Sequence, residues 1–277
     1  MSANTIPIES RAYILGRTSE EYTRLKRQAQ VWEPMTRSVL ERAGIAPGMR
    51  CLDAGCGPGE VMRLMAGYVG SRGRVVGLDA DGAIGAEALA ALHGAGFAQC
   101  SFRQADLTVT EHVEEAPFDL AFARLLLFHL RKPADALRRL YSWVKPGGRI
   151  VIQDYDTTAV DTEPTHEVIA EFKTVWSGVC KRAGLDERIG LRLPHLFAEA
   201  GIGRPDGTDI AGLFLPMDAS WQMVAGVYRS VLPLALQFGL TTKERSDWFC
   251  EQISGPSLAD FHVRWPLLIS TWKQKPL

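Results

Sequence analysis

The residues whose types and spacing can support chemistry lie between positions 50 and 60, where the chain reads RCLDAGCGPGE. A short apolar strand reaches an acidic residue, Asp53, and three glycines follow at alternate positions: Gly55, Gly57 and Gly59. Glycine has no Cβ and adopts positive φ at little steric cost, so this turn allows a ligand to lie against the backbone. The helix predicted from Glu60 to Tyr68 directs its unpaired N–H groups at the same point. The stretch therefore predicts a cofactor-binding turn.

The spacing of the glycines separates two classes of cofactor. A dinucleotide-binding turn has the pattern G-x-G-x-x-G, whereas here the third glycine comes one position early and Glu60 stands where the last glycine should be. A pyrophosphate bound there would meet a carboxylate, which disfavours a nicotinamide cofactor. A glycine-rich loop that binds nothing remains the alternative for this stretch considered alone.

The segment CLDAGCGPG resembles motif I of class I S-adenosylmethionine (SAM)-dependent methyltransferases, which reads hydrophobic-hydrophobic-acid-x-Gly-x-Gly-x-Gly. It matches this motif at every position. The resemblance implies that SAM is the cofactor and that Asp53 and the glycines bind it. SAM has an amino acid end and no phosphate, so an acidic residue before the turn is tolerated.

Two further carboxylates follow predicted strands. Asp79 ends the apolar run RVVGLD, where it can accept hydrogen bonds from both ribose hydroxyls; the alternative, capping of the next helix, suits Asp81 better. Asp106 ends the predicted third strand, and the resemblance implies that it accepts from the adenine amino group; the alternative is that it caps a turn or a helix. The predicted cofactor site also includes the residues that follow these two carboxylates: Ala80 and Leu107.

Two more candidates follow the predicted fourth strand, FDLAFA. Arg124 either contacts the cofactor or pairs with a carboxylate of the scaffold. His129 is the candidate catalytic base, and a positioned histidine would accelerate transfer to a hydroxyl by about 10²–10⁴-fold. The alternative for His129 is that it closes the loop after the strand.

The elements that must position these residues alternate between strand and helix over about 100 residues, which predicts right-handed crossovers and a parallel sheet. The unit that joins a helix to the strand RIVIQD through KPGG also resembles the family. The resemblance implies an α/β fold, a doubly wound, Rossmann-like sheet of seven strands in the order 3-2-1-4-5-7-6, with strand seven antiparallel. Residues 208–215 are the predicted sixth strand. Alternation from Phe261 to Ile269 predicts the last one, with either a bulge at Pro266 or a start at Leu267.

Four segments are expected within one domain: a helical cap (1–47), the cofactor-binding core (48–155), a helical lid insertion (156–205) and a C-terminal part that completes the sheet and the acceptor pocket (206–277). Insertions at the carboxyl edge of a parallel sheet overhang the crevice where ligands bind. We therefore expect Trp176 and the aromatic residues of the helix from 218 to 238 to line that pocket.

The cap also resembles a subgroup of small-molecule methyltransferases, in which the segment folds over the cofactor. The resemblance rests on the following matches: Tyr13, Leu15, Gly16, Glu21, Arg24, Leu25, and Gln28 or Gln30. It places Tyr13 in the cofactor site, and the alternative is that Tyr13 only fastens the cap to the core.

Composition narrows the classes of partner. The 277 residues carry a net charge of −1, which provides no general attraction for nucleic acid. Five scattered cysteines without a C-x-x-C pair indicate reduced thiols and no metal site, and no apolar run approaches the ~20 residues of a membrane span. We expect a cytoplasmic protein that contacts neither membrane nor nucleic acid.

The sequence thus predicts an enzyme that transfers the methyl group of SAM to a small-molecule acceptor by in-line displacement. Two alternatives remain: a SAM-binding protein without transfer activity, which would lack a cavity beside the methyl group, and a nicotinamide-dependent oxidoreductase. Whether the acceptor atom is O, N, C or S stays open, as does the oligomeric state.

Overall fold

The structure is a computed structural model that describes Leu15, residues 19–255, Leu258 and residues 260–277. Tyr13, the predicted contact from the cap, lies outside these described residues.

Strands and helices alternate from residue 50 to residue 156, except between the third and fourth strands, which a loop without a helix connects. The strands are β1 (Arg50–Ala54), β2 (Arg74–Asp79), β3 (Cys100–Gln104), β4 (Phe118–Arg124) and β5 (Val144–Asp156). The helices between them are α3 (Glu60–Val69), α4 (Gly82–Gly94) and α5 (Pro133–Ser142), and two earlier helices, α1 (Ser19–Val31) and α2 (Glu33–Arg42), precede β1. Strands β1, β2 and β4 are almost entirely buried, as expected where helices cover both faces of a parallel sheet.

The remaining elements follow β5. They are β6 (Asp161–Glu163), α6 (Glu167–Ala183), α7 (Ile189–Glu199), β7 (Gly207–Ala211), β8 (Phe214–Pro216), α8 (Met217–Gln237), α9 (Lys243–Ile253), β9 (His262–Arg264) and β10 (Leu267–Gln274).

The main sheet has the order β3-β2-β1-β4-β5-β10-β7. Strands β1 to β5 pair in parallel, whereas β10 is antiparallel to both of its neighbours. The predicted order, with its reversed last strand, is therefore confirmed.

Two predicted strands have different boundaries in the structure. The last strand starts at Leu267, one of the two expected outcomes, and the residues before Pro266 form β9 in a separate three-stranded sheet with the order β6-β9-β8. The single sixth strand predicted over 208–215 is wrong, because β7 belongs to the main sheet and β8 to the small one.

One hydrogen bond from α1 and one from α2 attach these helices to the sheet. Near the start of α1, the Tyr22 hydroxyl donates to Asp81 Oδ2 (2.7 Å) beyond β2. On α2, Thr36 Oγ1 donates to Gln153 Oε1 of β5 (2.8 Å). The two helices therefore cross the carboxyl edge of the sheet from β2 to β5. The division of the chain into cap, core, lid and C-terminal part stays a prediction.

All five cysteines are free thiols. Among the described residues, none of the helices is both long enough and apolar enough to cross a membrane.

Helix α7 approaches the end of β5 so closely that only glycine fits at the contact. A Cβ added at Gly190 would lie 2.5 Å from the carbonyl oxygen of Asp154 and 2.9 Å from the carbonyl carbon of Tyr155. These are backbone atoms, so the strand end itself would have to shift.

We therefore expect Gly190→Ala to lower the free energy of unfolding by about 1–3 kcal/mol, the usual cost of overpacking. Gly67→Ala is the matched control, since Gly67 is an exposed glycine inside α3 where an added Cβ would meet nothing within 4 Å. The control should gain about 0.5–1 kcal/mol from helix propensity. Urea denaturation of both variants measures the difference, and equal effects would show that α7 can move away from β5.

Candidate active site

A cavity of about 770 Å³ opens at the carboxyl edge of the parallel strands. This volume falls within the ~300–1,000 Å³ typical of small-molecule sites. Nine of the predicted site residues line the cavity: Asp53, Gly55, Gly57, Asp79, Ala80, Asp106, Leu107, Arg124 and His129. Gly59 does not, because it is the N-cap residue of α3 and faces Ala88 of α4.

The three glycines of the turn have different tasks. All adopt positive φ, at 70° for Gly55, 47° for Gly57 and 80° for Gly59. A Cβ on Gly55 would lie 2.9 Å from Leu126 Cδ1, and one on Gly59 would lie 3.0 Å from Ala88 Cβ, whereas a Cβ on Gly57 would meet nothing within 4 Å. Two glycines therefore permit close packing, and Gly57 alone leaves open space beside the backbone.

Asp79 fixes the conformation of this turn. Its Oδ2 accepts from the backbone N–H of Gly57 and its Oδ1 from that of Asp81, both at 2.9 Å. The helix cap is Asp81, whose Oδ1 accepts from Ala83 N (3.0 Å) and Ile84 N (3.4 Å). Asp79 is thus held at the cavity by backbone N–H groups that donate to both of its carboxylate oxygens.

Asp106 caps a turn and also lines the cavity. Its Oδ1 accepts from both the backbone N–H and the hydroxyl of Thr108, each at 2.7 Å. This is the turn-capping alternative raised for Asp106. The two bonds occupy one carboxylate oxygen.

Asp53 is a buried carboxyl, 2% exposed, in β1 beneath the turn. Its Oδ2 has no hydrogen-bond partner among the described residues. Burial, opposed by the positive charge of Arg124 and reinforced by the negative charge of Asp79, raises the pKa of Asp53 to about 7. An orphaned carboxylate oxygen of this kind suits a cationic ligand group, since leaving it unpaired is costly.

Arg124 connects this part of the site to α2 and the far strands. Its guanidinium donates to Thr36 Oγ1 (2.9 Å), which donates in turn to Gln153 Oε1 (2.8 Å), and Gln153 Nε2 donates to Ser270 Oγ (2.9 Å). Desolvation lowers the pKa of Arg124, and the negative charge of Asp53 opposes that shift. Arg124 therefore contacts the cavity and is also anchored in the scaffold.

His129 lies in a tight turn after β4 that a second buried carboxylate holds in place. The chain reverses at Leu125, whose φ is 55°, and forms a 3₁₀ turn over Leu127–His129. Asp154, fully buried at the end of β5, accepts from the backbone N–H of Phe128 (3.1 Å) and of Tyr155 (2.9 Å).

Both ionisable groups have shifted pKa values. Burial raises the pKa of Asp154 to about 7, although its backbone hydrogen bonds oppose the shift. Desolvation, assisted by the positive charge of Arg24, lowers the pKa of His129 to about 4. The imidazole is therefore neutral at pH 7, and a pKa this low makes it a weaker base than an ordinary histidine.

Part of the cavity wall is apolar and aromatic. The ring of Trp176 stacks on Phe128, with centroids 5.7 Å apart and planes inclined by 12°, and on Phe172 at 6.5 Å and 4°. Trp265 also lines the cavity. The prediction that Trp176 lines the cavity agrees with the structure. The prediction for the aromatic residues of α8 is wrong, because this helix contributes Met223, Val224 and Val227 instead. Tyr228 instead stacks on Phe249, with centroids 3.8 Å apart.

One face of α1 carries a chain of polar side chains over the cavity. Arg24 donates to both carboxylate oxygens of Glu21 (2.8 and 2.6 Å) and to Gln28 Oε1 (3.1 Å). Gln28 Nε2 donates to the Tyr155 hydroxyl (2.8 Å), and so does Trp32 Nε1 (2.5 Å).

Sequence reasoning missed several of these residues, among them Asp154 and Tyr155. The signal for Asp154 was present, because it is another carboxylate near the end of a parallel strand, as Asp53 and Asp79 are. Nothing local marks Tyr155, whose partners are more than 120 positions away in the chain.

Comparison with known proteins gives matches at three levels. A family model described as a methyltransferase domain matches residues 45–201, more than half of the chain. Phosphoethanolamine N-methyltransferase 3 of Arabidopsis thaliana is 33% identical over 122 residues, which cover 43% of this chain and 24% of that protein. The chain spans less than two thirds of the length of the curated relatives it matches.

Two solved structures share the fold. A candidate methyltransferase from Bacillus halodurans superposes with a TM-score of 0.61 at 18% identity, covering 87% of this chain and 99% of that one. Phosphoethanolamine N-methyltransferase 2 of Haemonchus contortus, solved with phosphomonomethylethanolamine and S-adenosylhomocysteine, gives a TM-score of 0.51 at 18% identity, with coverage of 88% and 53%. At these identities the likeness establishes the fold alone.

The lowered pKa of His129 leads to a direct test by NMR. Its imidazole should stay neutral from pH 8 down to about pH 5 and titrate near pH 4, instead of near the usual value of about 6.5. Because the unfolded chain binds this proton first, His129 should also reduce stability as the pH falls from about 6.5 to 4. A pH titration of the histidine Cε1–H signals, assigned with His129→Gln, measures the value. A midpoint near 6.5 would show that the ring is hydrated.

Proposed function

The chain belongs to the methyltransferase-domain family, and from this we propose that it transfers the methyl group of SAM to a small-molecule acceptor. The observation that carries the proposal is one cavity lined by two dissimilar sets of residues. One set is the glycine turn with the Asp53 carboxyl, whose Oδ2 has no partner among the described residues, and the other is the stacked aromatic wall. A cavity of this kind has room for a cofactor and an acceptor side by side.

The chemical groups of the first set fit the parts of SAM. The buried Oδ2 of Asp53 suits the ammonium group of the methionyl end, and the open space beside Gly57 allows that end to lie against the turn. Asp79 would accept from the ribose hydroxyls and Asp106 from the adenine amino group. The neighbours Ala80 and Leu107 would flank the adenosine, with Gly55 and Arg124 beside the methionyl end. Tyr13 stays a predicted contact.

Bound SAM supplies an activated methyl group on a sulfonium, which is already a good leaving group. The protein's main contribution is then position: holding the acceptor atom about 3–3.5 Å from the methyl group can provide roughly 7–11 kcal/mol. The apolar wall excludes water from the reacting atoms. Neutral His129, at the edge of the cavity, can take the proton that an O–H, N–H or S–H acceptor releases.

The acceptor pocket favours a molecule with a flat, apolar body. Phe128, Trp176 and Phe172 present nearly parallel rings, the arrangement against which planar groups stack. Arg24 also lines the cavity, where its guanidinium donates to both carboxylate oxygens of Glu21. The relatives named as phosphoethanolamine N-methyltransferases support a small-molecule acceptor, and the net charge of −1 argues against a polyanionic one. A cytoplasmic location stays a prediction.

Labelled SAM tests the function directly. Incubation with a panel of small aromatic hydroxyls, amines and thiols should transfer label to at least one class. Trp176→Ala should then lower kcat/KM at least tenfold while leaving the affinity for S-adenosylhomocysteine unchanged. Trp248→Ala is the control, since Trp248 stacks against Arg245 on α9 and does not line the cavity. SAM binding without transfer to any class would favour a non-catalytic binder, and binding of NAD alone would contradict the cofactor.

A second prediction concerns the proton on Asp53. In the protein without ligand, Asp53 has a pKa of about 7. An ammonium group beside its carboxylate should lower that pKa, so ligand binding should release a proton. The affinity for S-adenosylhomocysteine should therefore fall by up to about tenfold per pH unit below pH 7 and level off above it.

Calorimetry in buffers of different ionisation enthalpy measures this release. Asp53→Asn should abolish it, and 5′-methylthioadenosine, which lacks the ammonium group, should bind without it. Equal proton release with both ligands would show that Asp53 is not the ammonium site.

A further inference from the structure

The hydroxyl group of Tyr155 receives two hydrogen bonds from groups that can only donate. Trp32 Nε1 is a donor with no acceptor capacity. Gln28 contributes its amide nitrogen, and its orientation is determined by Arg24, which donates to Gln28 Oε1 at 3.1 Å. If this amide were reversed, its NH₂ group would face the guanidinium, donor against donor. Both lone pairs of the tyrosine oxygen are therefore in use.

The hydrogen of the same hydroxyl has no acceptor among the residues that the structure describes. Tyr155 lines the cavity, so this O–H group is available to a ligand bound there. An unsatisfied donor within a protein lowers stability, and a ligand oxygen that accepts from it would remove that cost.

The surroundings favour an oxygen that carries negative charge. Asp53, Arg124 and Tyr155 lie at or near the carboxyl ends of three adjacent strands, β1, β4 and β5. The Arg124 guanidinium interacts electrostatically with both Asp53 and Tyr155, and Arg24 also acts on Tyr155. Arg124 and Arg24 near the hydroxyl would attract a carboxylate, and the Asp53 carboxylate would attract an ammonium group. Together they would match the two charged groups of an amino acid.

We infer that the Tyr155 hydroxyl donates a hydrogen bond to the methionyl carboxylate of SAM, whose ammonium group is bound by Asp53. This assignment rests on the proposed function, since it requires SAM as the ligand. Tyr155 would thereby recognise the amino acid end of the cofactor, while Gln28 of α1 and Trp32, the residue between α1 and α2, hold its hydroxyl in the required orientation.

Two ligands that differ in this end provide the test. S-Adenosylhomocysteine carries the carboxylate, whereas 5′-methylthioadenosine ends at the sulfur and lacks the whole amino acid group. Tyr155→Phe should weaken S-adenosylhomocysteine about 10–100-fold, as expected for a lost bond to a charged group, and should change the affinity for 5′-methylthioadenosine less than twofold. Tyr141→Phe, on α5 away from the cavity, should change neither affinity.

The outcomes separate the inference from the function on which it rests. If the unmodified protein binds neither ligand, both fail. If it binds both and Tyr155→Phe weakens them equally or not at all, the carboxylate contact is wrong while SAM binding stands. A change confined to the KM of an acceptor, with unchanged S-adenosylhomocysteine affinity, would also overturn it and assign the hydroxyl to the acceptor.

Tyr155→Phe leaves two donors without their acceptor, so this variant can fail to fold. A second measurement tests the inference in that case. 3-Fluorotyrosine introduced at position 155 keeps the ring and the hydroxyl. Its ¹⁹F resonance should shift on adding S-adenosylhomocysteine and not on adding 5′-methylthioadenosine. Equal shifts with the two ligands would overturn the inference.

Discussion

The charge balance around the buried Asp53 carboxyl is the constraint on which the site depends. Asp53 lies in β1 with one oxygen unpartnered, and Arg124 from the neighbouring strand supplies the opposing charge. Burying a carboxylate that is only partly compensated costs stability, and here the cost appears as a pKa raised to about 7. Such a cost is retained where a ligand removes it. Arg124 must itself be held, which explains the buried chain from Thr36 through Gln153 to Ser270.

The same requirement explains the position of the first two helices. Helix α1 is bound to the β2 end by the bond from Tyr22 to Asp81 and to the β5 end by the bond from Gln28 to Tyr155. Trp32, which begins α2, donates to the same tyrosine hydroxyl. Helix α1 therefore covers the groups that would contact both ends of SAM. Without α1 and α2, Tyr155 would lose the donors that orient its hydroxyl and Arg124 would lose Thr36. Helices α1 and α2 therefore contribute to the proposed cofactor part of the cavity as much as the glycine turn does.

The acceptor end is built by different means. Asp154 holds the turn that carries Phe128 and His129 through backbone hydrogen bonds, and Gly190 allows α7 to pack against the same strand end. Phe128 then aligns with Trp176 and Phe172 of α6. The cavity lining also includes His129, whose imidazole is neutral, and charged side chains such as Arg131 and Arg264. The stacked rings suit binding by shape, whereas the proposed cofactor residues depend on charge.

The sequence by itself determined the features that depend on neighbouring residues. The glycine turn, the Asp81 cap, the interruption of the last strand at Pro266 and most of the alternation of strands and helices follow from local backbone preferences, which act over a few positions. The strand order came from the resemblance to a family. Only the tertiary structure brought Asp154 and Tyr155 to the cavity, turned the aromatic residues of α8 away from it, and divided residues 208–215 between two sheets. Tyr155 and Trp32 lie 123 positions apart, and hydrogen bonds across such distances depend on how whole elements pack, which no local pattern of residues specifies.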